Sequence, residues 1–225
     1  ELQHLFARLA LSTRAAVDPS ALLRALLPPK RRPSFGFGGG FAPGAEADVS
    51  EFGKLLLERL EKPCPRVREL IYGELAETVV ADEGGGGAPL RQSSRCPFSE
   101  LLLPVAAAGG DLDGAIREAL RPSELEGFVG PSGRRAGSAH KEVALLSLPQ
   151  LLCLQLQRVT YDAEAGRARK LDASVAFPLR LDMGPYVSSG GGNGGSWRYV
   201  LHAVLLHEGA ASSGHYQCVC RAGGG

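Results

Sequence analysis

His215 stands at the head of the run Gly214-His215-Tyr216-Gln217-Cys218-Val219-Cys220, directly after a stretch of small and polar residues from Glu208 to Gly214. That pattern predicts a hairpin loop followed by a returning strand. An imidazole there is anchored on one side by the sheet and open on the other, a position from which it can take a proton from a nucleophile. Gly214 has no side chain, so a substrate backbone can come close. Taken alone, a strand-terminal histidine is more often structural than catalytic. The nucleophile is harder to find: Cys64 is pinned between two prolines, Cys153 falls in an apolar stretch, and Cys218 and Cys220 follow His215 on its own strand. Each fits a small core or surface residue better than a reactive thiol.

Positioning the imidazole requires a sheet, and the final third of the chain reads as one. Leu151 to Val159, Val175 to Phe177, Tyr199 to His207 and His215 to Cys220 are strand-like, by their β-branched or alternating apolar residues. The same texture starts after Arg66, with segments at Glu77 to Ala81, Leu101 to Val105 and Val143 to Leu148, and a helix from Leu112 to Leu120 behind Asp111. The front of the chain is helical. Leu2, Leu5, Phe6, Leu9 and Leu11 recur at near-helical spacing, and a second amphipathic stretch follows Asp18 and Pro19, which have the form of an N-cap and a first-turn proline. Asp48 to Glu61 lines Val49, Phe52, Leu55, Leu56 and Leu60 along one face, and Pro63 and Pro65 stop it. Helices first and antiparallel strands later is the α+β arrangement.

With 225 residues, 44% of them hydrophobic and 22% charged, the chain can bury a sizeable core, and it reads as one domain. Its 25 basic and 24 acidic residues leave a formal charge of +1, too weak a field to gather phosphates or anionic lipid. Neither nucleic acid nor a membrane is expected as a partner. The longest near-apolar run, Leu145 to Leu156, is too short to span a bilayer and is broken by Ser147, Pro149 and Gln150. An odd set of cysteines without framework spacing implies a reducing, intracellular setting, cytoplasm or nucleus. The opening at Glu1, without a basic-then-apolar leader, reads as an internal fragment. Gly36 to Gly40, Gly84 to Gly87 and Gly190 to Gly195 read as low-complexity surface loops, and Pro28 to Pro33 as a solvated basic loop rather than an import signal.

Several short motifs in a fixed order are more specific than any one of them. Leu151 through Arg158, Lys170-Leu171-Asp172, Phe177-Pro178, Leu181-Asp182-Met183, Tyr199 to Gly209 and Ser213-Gly214-His215-Tyr216 follow one another along the chain. The series strongly resembles the carboxy-terminal boxes of the ubiquitin-specific proteases. Leu2-Gln3-His4-Leu5-Phe6, Asp18-Pro19-Ser20 and Asp48-Val49-Ser50-Glu51-Phe52 resemble the helical segment of the same family, so the likeness runs from residue 2 to about residue 221.

The resemblance implies an incomplete papain-like cysteine peptidase, with a helical thumb part at 1–62, a fingers-like part at 63–145 and palm strands at 146–225. It implies cleavage of the isopeptide or peptide bond after the terminal glycine of ubiquitin, with ubiquitin and ubiquitinated proteins as partners and no cofactor. His215 is then the imidazole that draws the proton from a cysteine thiol. The family's Gly-Asn-Thr-Cys box and the Asp or Asn that orients the histidine have no match here. Both are expected outside these residues, and the fragment alone is expected to hydrolyse nothing. Gly214, Tyr216 and Asp48 are the expected substrate contacts, Asp48 by meeting the arginine-containing tail of ubiquitin. Asp48 and Glu51 also read as first-turn acids worth ~0.3–1 kcal/mol to their helix. Glu46 and Ala47 stand where the family carries two glutamines. Two CxxC zinc pairs of the family map onto Ser93 with Cys96 and Gly130 with Gly133, leaving one ligand of four. No metal is expected, and the fingers are expected as metal-free strands. The rival reading is a non-catalytic ubiquitin-binding or scaffold protein that kept the fold.

Overall fold

The computed structural model describes residues 1–14, 16–26, 48–84, 88–106, 109–188 and 197–221. The basic loop, Glu46 and Ala47, and most of the three glycine runs lie outside the described residues. The chain divides into two compact units, Glu1–Val67 and Arg68–Gly225.

The first unit holds α1 (Leu2–Leu11), α2 (Ser20–Leu26) and α3 (Val49–Glu61). The Asp18 carboxylate accepts from Ser20 N at 2.9 Å and leads the chain into α2, whose Leu22 and Leu26 are buried. Asp48 caps α3 by accepting from Ser50 N at 2.8 Å and Glu51 N at 3.2 Å. The cap satisfies two backbone donors that have no partner inside the helix. The expected turn to strands at Arg66 does not occur. A further helix, α4 (Arg66–Ile71), forms first. Pro65 sits immediately before its first residue, where a missing N–H costs nothing, and Val67 N bonds to Cys64 O to start the turn.

In the second unit, β1 (Gly73–Asp82) is the centre of an antiparallel sheet. The strand β2 (Leu90–Phe98) lies on one side, and on the other lies β6 (Ser138–Ser147), which in turn carries β5 (Ser123–Glu124). The expected strand at Glu77 to Ala81 is the second half of β1. The sequence pattern missed β2, because Arg91, Gln92, Ser93, Ser94 and Arg95 are exposed and the strand is set by its ladder with β1 rather than by an apolar alternation. Ion pairs tie the sheet together, Arg91–Glu142 at 2.8 Å and Lys141–Glu77 at 3.0 Å.

The short strands β3 (Leu101–Pro104) and β4 (Gly110–Asp111) lead into α5 (Leu112–Ala119), which Asp111 caps through Gly114 N at 2.8 Å. Leu112, Ala115 and Ile116 line the buried face of α5 and pack with Leu101, Leu103, Leu145, Leu148 and Met183. Leu103, Ile116, Leu145 and Met183 are fully buried, and each contributes about 1.5–3 kcal/mol.

The expected single strand at Leu151 to Val159 is two, β7 (Leu154–Gln157) and β8 (Val159–Asp162), and Cys153 lies before the first of them. Arg158 makes the break: its guanidinium donates to Leu171 O at 3.1 Å and Ala173 O at 2.6 Å, while β8 turns away to pair with β9 (Arg167–Lys170). Pairing is not uniformly antiparallel either. β3 runs parallel to β7, and β4 parallel to β10 (Val175–Ala176). The antiparallel pair β11 (Arg180–Asp182) and β12 (Arg198–Val200) follows. The expected strand at Tyr199 to His207 breaks after Val200, because Leu201 N turns to Leu179 O, and β13 (Ala203–Gly209) starts anew. Last comes β14 (Gly214–Cys220).

Candidate active site

The antiparallel pair β13–β14 presents the candidate histidine. Its register sets His207 opposite Tyr216, Glu208 opposite His215 and Gly209 opposite Gly214. His215 is exposed, and its ring nitrogens have no hydrogen-bond partner among the described residues. An accessible, uncommitted imidazole is what proton transfer to or from an incoming group needs. Tyr216 is 40% exposed, with its ring 4.8 Å from that of His207. The loop leaves β13 through Gly209 at φ +117°, a left-handed conformation that other residues resist. A Cβ on Gly214 would run into the Glu208 carbonyl and stand 2.5 Å from His207 Nε2, so the chain itself fills the space beside this glycine.

Sequence reasoning gave His207 and Lys170 no role, yet both support this hairpin. Lys170, the last residue of β9, donates from Nζ to His207 O at 2.8 Å and Gly209 O at 3.0 Å. The only local signal was its place in Lys170-Leu171-Asp172, and the acceptors lie 37 and 39 residues further along the chain. Asp48 belongs to the first unit, where its carboxylate serves as the α3 cap.

Cys218 and Cys220 lie on the β14 face opposite to His215 by strand alternation, with sulfurs 3.3 Å apart. The hydrogen bond to Cys220 pushes the Cys218 thiol above its ordinary value, away from the thiolate a nucleophile requires. Cys153 is raised as well, by desolvation of its sulfur first and then by the Glu100 carboxylate. Cys64 is exposed at the end of the first unit.

Among the described residues no three His, Cys, Asp or Glu side chains come together to hold a metal. The positions onto which the family's two zinc pairs map do not converge. Ser93 pairs with Thr78 and Cys96 with Leu75, which puts the two on opposite faces of β2. Gly130 lies instead against Glu83, just beyond the far end of β1. A groove lined by Asp111, Asp113, Phe177, Arg180 and Tyr186 lies elsewhere and does not include His215. No described helix is long and apolar enough to cross a membrane.

Residues 1–224 match the family model of ubiquitin carboxyl-terminal hydrolase. The chain belongs to that family. Within it, the chain is 35% identical over 228 aligned residues to ubiquitin carboxyl-terminal hydrolase 48 of Rattus norvegicus, covering 96% of this chain and 20% of the relative. The protein of that name from Gallus gallus is 33% identical with the same coverage. The chain thus spans about a fifth of the length of these curated relatives. A chain from the SAGA Ubp8/Sgf11/Sus1/Sgf73 DUB module bound to ubiquitin aldehyde superposes with a TM-score of 0.64 at 22% identity, over 80% of this chain and 43% of the other. The fold of this ubiquitin carboxyl-terminal hydrolase domain is therefore the α+β, papain-like fold of the ubiquitin-specific proteases.

Proposed function

We propose that the protein carrying this chain is a thiol-dependent deubiquitinase with His215 as its general base. The observation that carries this reading is the exposed His215 ring, with no hydrogen-bond partner among the described residues, at the head of β14. In the reaction, the imidazole takes the proton of a cysteine thiol supplied from outside these residues. The thiolate attacks the carbonyl of ubiquitin's terminal glycine, and amide donors hold the oxyanion. The imidazolium then protonates the leaving amine, and water, deprotonated by the same ring, hydrolyses the thioester. The 225 residues alone are then inactive. Gly214, Tyr216 and Asp48 are proposed to contact ubiquitin, with the Asp48 carboxylate meeting its basic tail.

In this reading 1–62 corresponds to the thumb, 63–145 to the fingers and 146–225 to the palm, and the protein works inside the cell, in cytoplasm or nucleus. Support for ubiquitin as the partner comes from the hydrolase names of the relatives and from a structural neighbour bound to ubiquitin aldehyde. The experiment is to treat the full-length protein with ubiquitin carrying a thiol-reactive C-terminus. A covalent adduct that slows sharply in His215→Ala supports the protease. Ubiquitin binding without any adduct establishes the scaffold reading instead.

A further inference from the structure

We infer that Lys170 is a positioning residue for His215, an assignment that rests on the protease reading above. The hairpin end that carries His215 is weak by its own composition. Its last pair, Gly209 opposite Gly214, has no side chains to meet across the strands and so lacks the contacts that stabilise a sheet locally. Neither glycine can be exchanged for a residue that would supply them. A Cβ on Gly209 would stand 2.6 Å from Ser213 O, and one on Gly214 would collide with the Glu208 carbonyl. The His207 and Tyr216 rings meet further in, at 4.8 Å, but the glycine pair itself takes its support from outside the hairpin.

Lys170 provides it. Carbonyls two residues apart point to the same edge of a strand, and the ammonium takes both of those that flank Glu208, His207 O at 2.8 Å and Gly209 O at 3.0 Å. Glu208 is the residue paired with His215 across the hairpin. One ammonium with three donors thus holds, from its outer edge, the β13 segment that is paired with His215 across the hairpin. The lysine is itself fixed. It ends the β8–β9 ladder, and the next residue bonds back through Leu171 N to Arg158 O at 2.7 Å. Arg158 in turn grips Leu171 O and Ala173 O. A platform of two cations therefore meets the hairpin end whose last pair has no side chains.

The test uses Lys170→Met, which keeps the stem and removes the donors, and Lys170→Arg, which keeps the charge. In the full-length protein, hydrogen exchange of the 207–216 amides is expected to speed up in Lys170→Met, with exchange in β1 and β6 unchanged and Lys170→Arg intermediate. In the full-length protein, Lys170→Met is expected to lower kcat on a ubiquitin-fluorophore substrate by about 10- to 100-fold with KM altered less than about twofold. It is also expected to flatten the pH profile of nucleophile alkylation by iodoacetamide, which reports the pairing of thiolate with imidazole. A general loss of folded protein would lower the amplitude and leave that profile intact. Unchanged exchange at 207–216, or a kcat that falls only with the folded fraction, overturns the assignment. Should the full-length wild type fail to cleave ubiquitin conjugates, the protease reading falls, and with it the role of Lys170 toward a catalytic His215. The exchange data then show separately whether Lys170 fixes the hairpin.

Discussion

The rings of His207 and Tyr216 meet across the β13–β14 hairpin with centroids 4.8 Å apart and planes tilted by 36°, and His207 Nε2 occupies the space in which a Gly214 side chain would have to stand. The glycine before His215 is therefore required by the chain's own packing, whatever it also permits a substrate to do. Gly214→Ala is expected to displace His207 and to cost about 1–3 kcal/mol of stability, measured by denaturant unfolding. Adding His207→Ala is expected to recover part of that loss, since the two changes share one contact.

Asp48 separates capping from substrate charge. Its carboxylate accepts from Ser50 N and Glu51 N, and an asparagine retains such a cap nearly as well. Asp48→Asn is expected to leave stability within about 0.5 kcal/mol while weakening ubiquitin binding, and Asp48→Ala to lose about 0.5–2 kcal/mol as well. Unfolding curves and binding titrations of both variants give the comparison. Equal ubiquitin affinity in Asp48→Asn and wild type would leave only the cap.

The Asp113–Tyr186 hydrogen bond beside Arg117 gives the second unit a pH signature at both extremes. The Asp113 carboxyl lies below its usual value, through the hydrogen bond from Arg117 first and that from Tyr186 second. A depressed carboxylate stabilises above the unfolded value of about 4 and loses that contribution as pH falls through its folded value. Burial, then the bond to Asp113, pushes Tyr186 up to about 12. Its contribution is complete below the unfolded value of about 10 and is lost as pH rises through about 12. Tyr186→Phe is expected to remove the Tyr186 part of the alkaline decline in stability, leaving the parts due to Tyr199, Cys153 and Cys218, and phenolate absorbance should lose its latest-titrating component.

At the tip of the four-stranded sheet, Ser132 Oγ donates to Glu83 Oε1 at 2.8 Å, and Gly137 N to Asp82 O at 2.8 Å. These bonds tie the 130–137 segment to the end of β1. Glu83→Ala is expected to cost about 0.5–1.5 kcal/mol and to speed amide exchange at 130–134. A chelator is expected to leave the wild-type thermal midpoint unchanged.

What was legible in the sequence is what neighbours in sequence decide. The α3 helix and its Asp48 cap, α5 behind Asp111, and the strand headed by Gly214-His215 all follow from periodicity and capping within a few residues. What was illegible depends on distant partners. The polar strand β2 exists because β1 pairs with it. The break at Arg158 exists because Leu171 O and Ala173 O draw its guanidinium. The parallel pairs β3–β7 and β4–β10 join segments far apart in the chain. The helix α4 hid behind two prolines that read as a stop. In the candidate site the histidine was visible and its support was not, since Lys170 reaches the hairpin only through tertiary structure.

The central claim is that His215 moves protons for a cysteine acting on ubiquitin. Its most direct test is the hydrolysis rate of a ubiquitin-fluorophore conjugate by the full-length protein and its His215→Ala variant. The expected result is a fall in kcat of about 100- to 10,000-fold with ubiquitin affinity retained. A His215→Ala protein that turns over at the wild-type rate would contradict it.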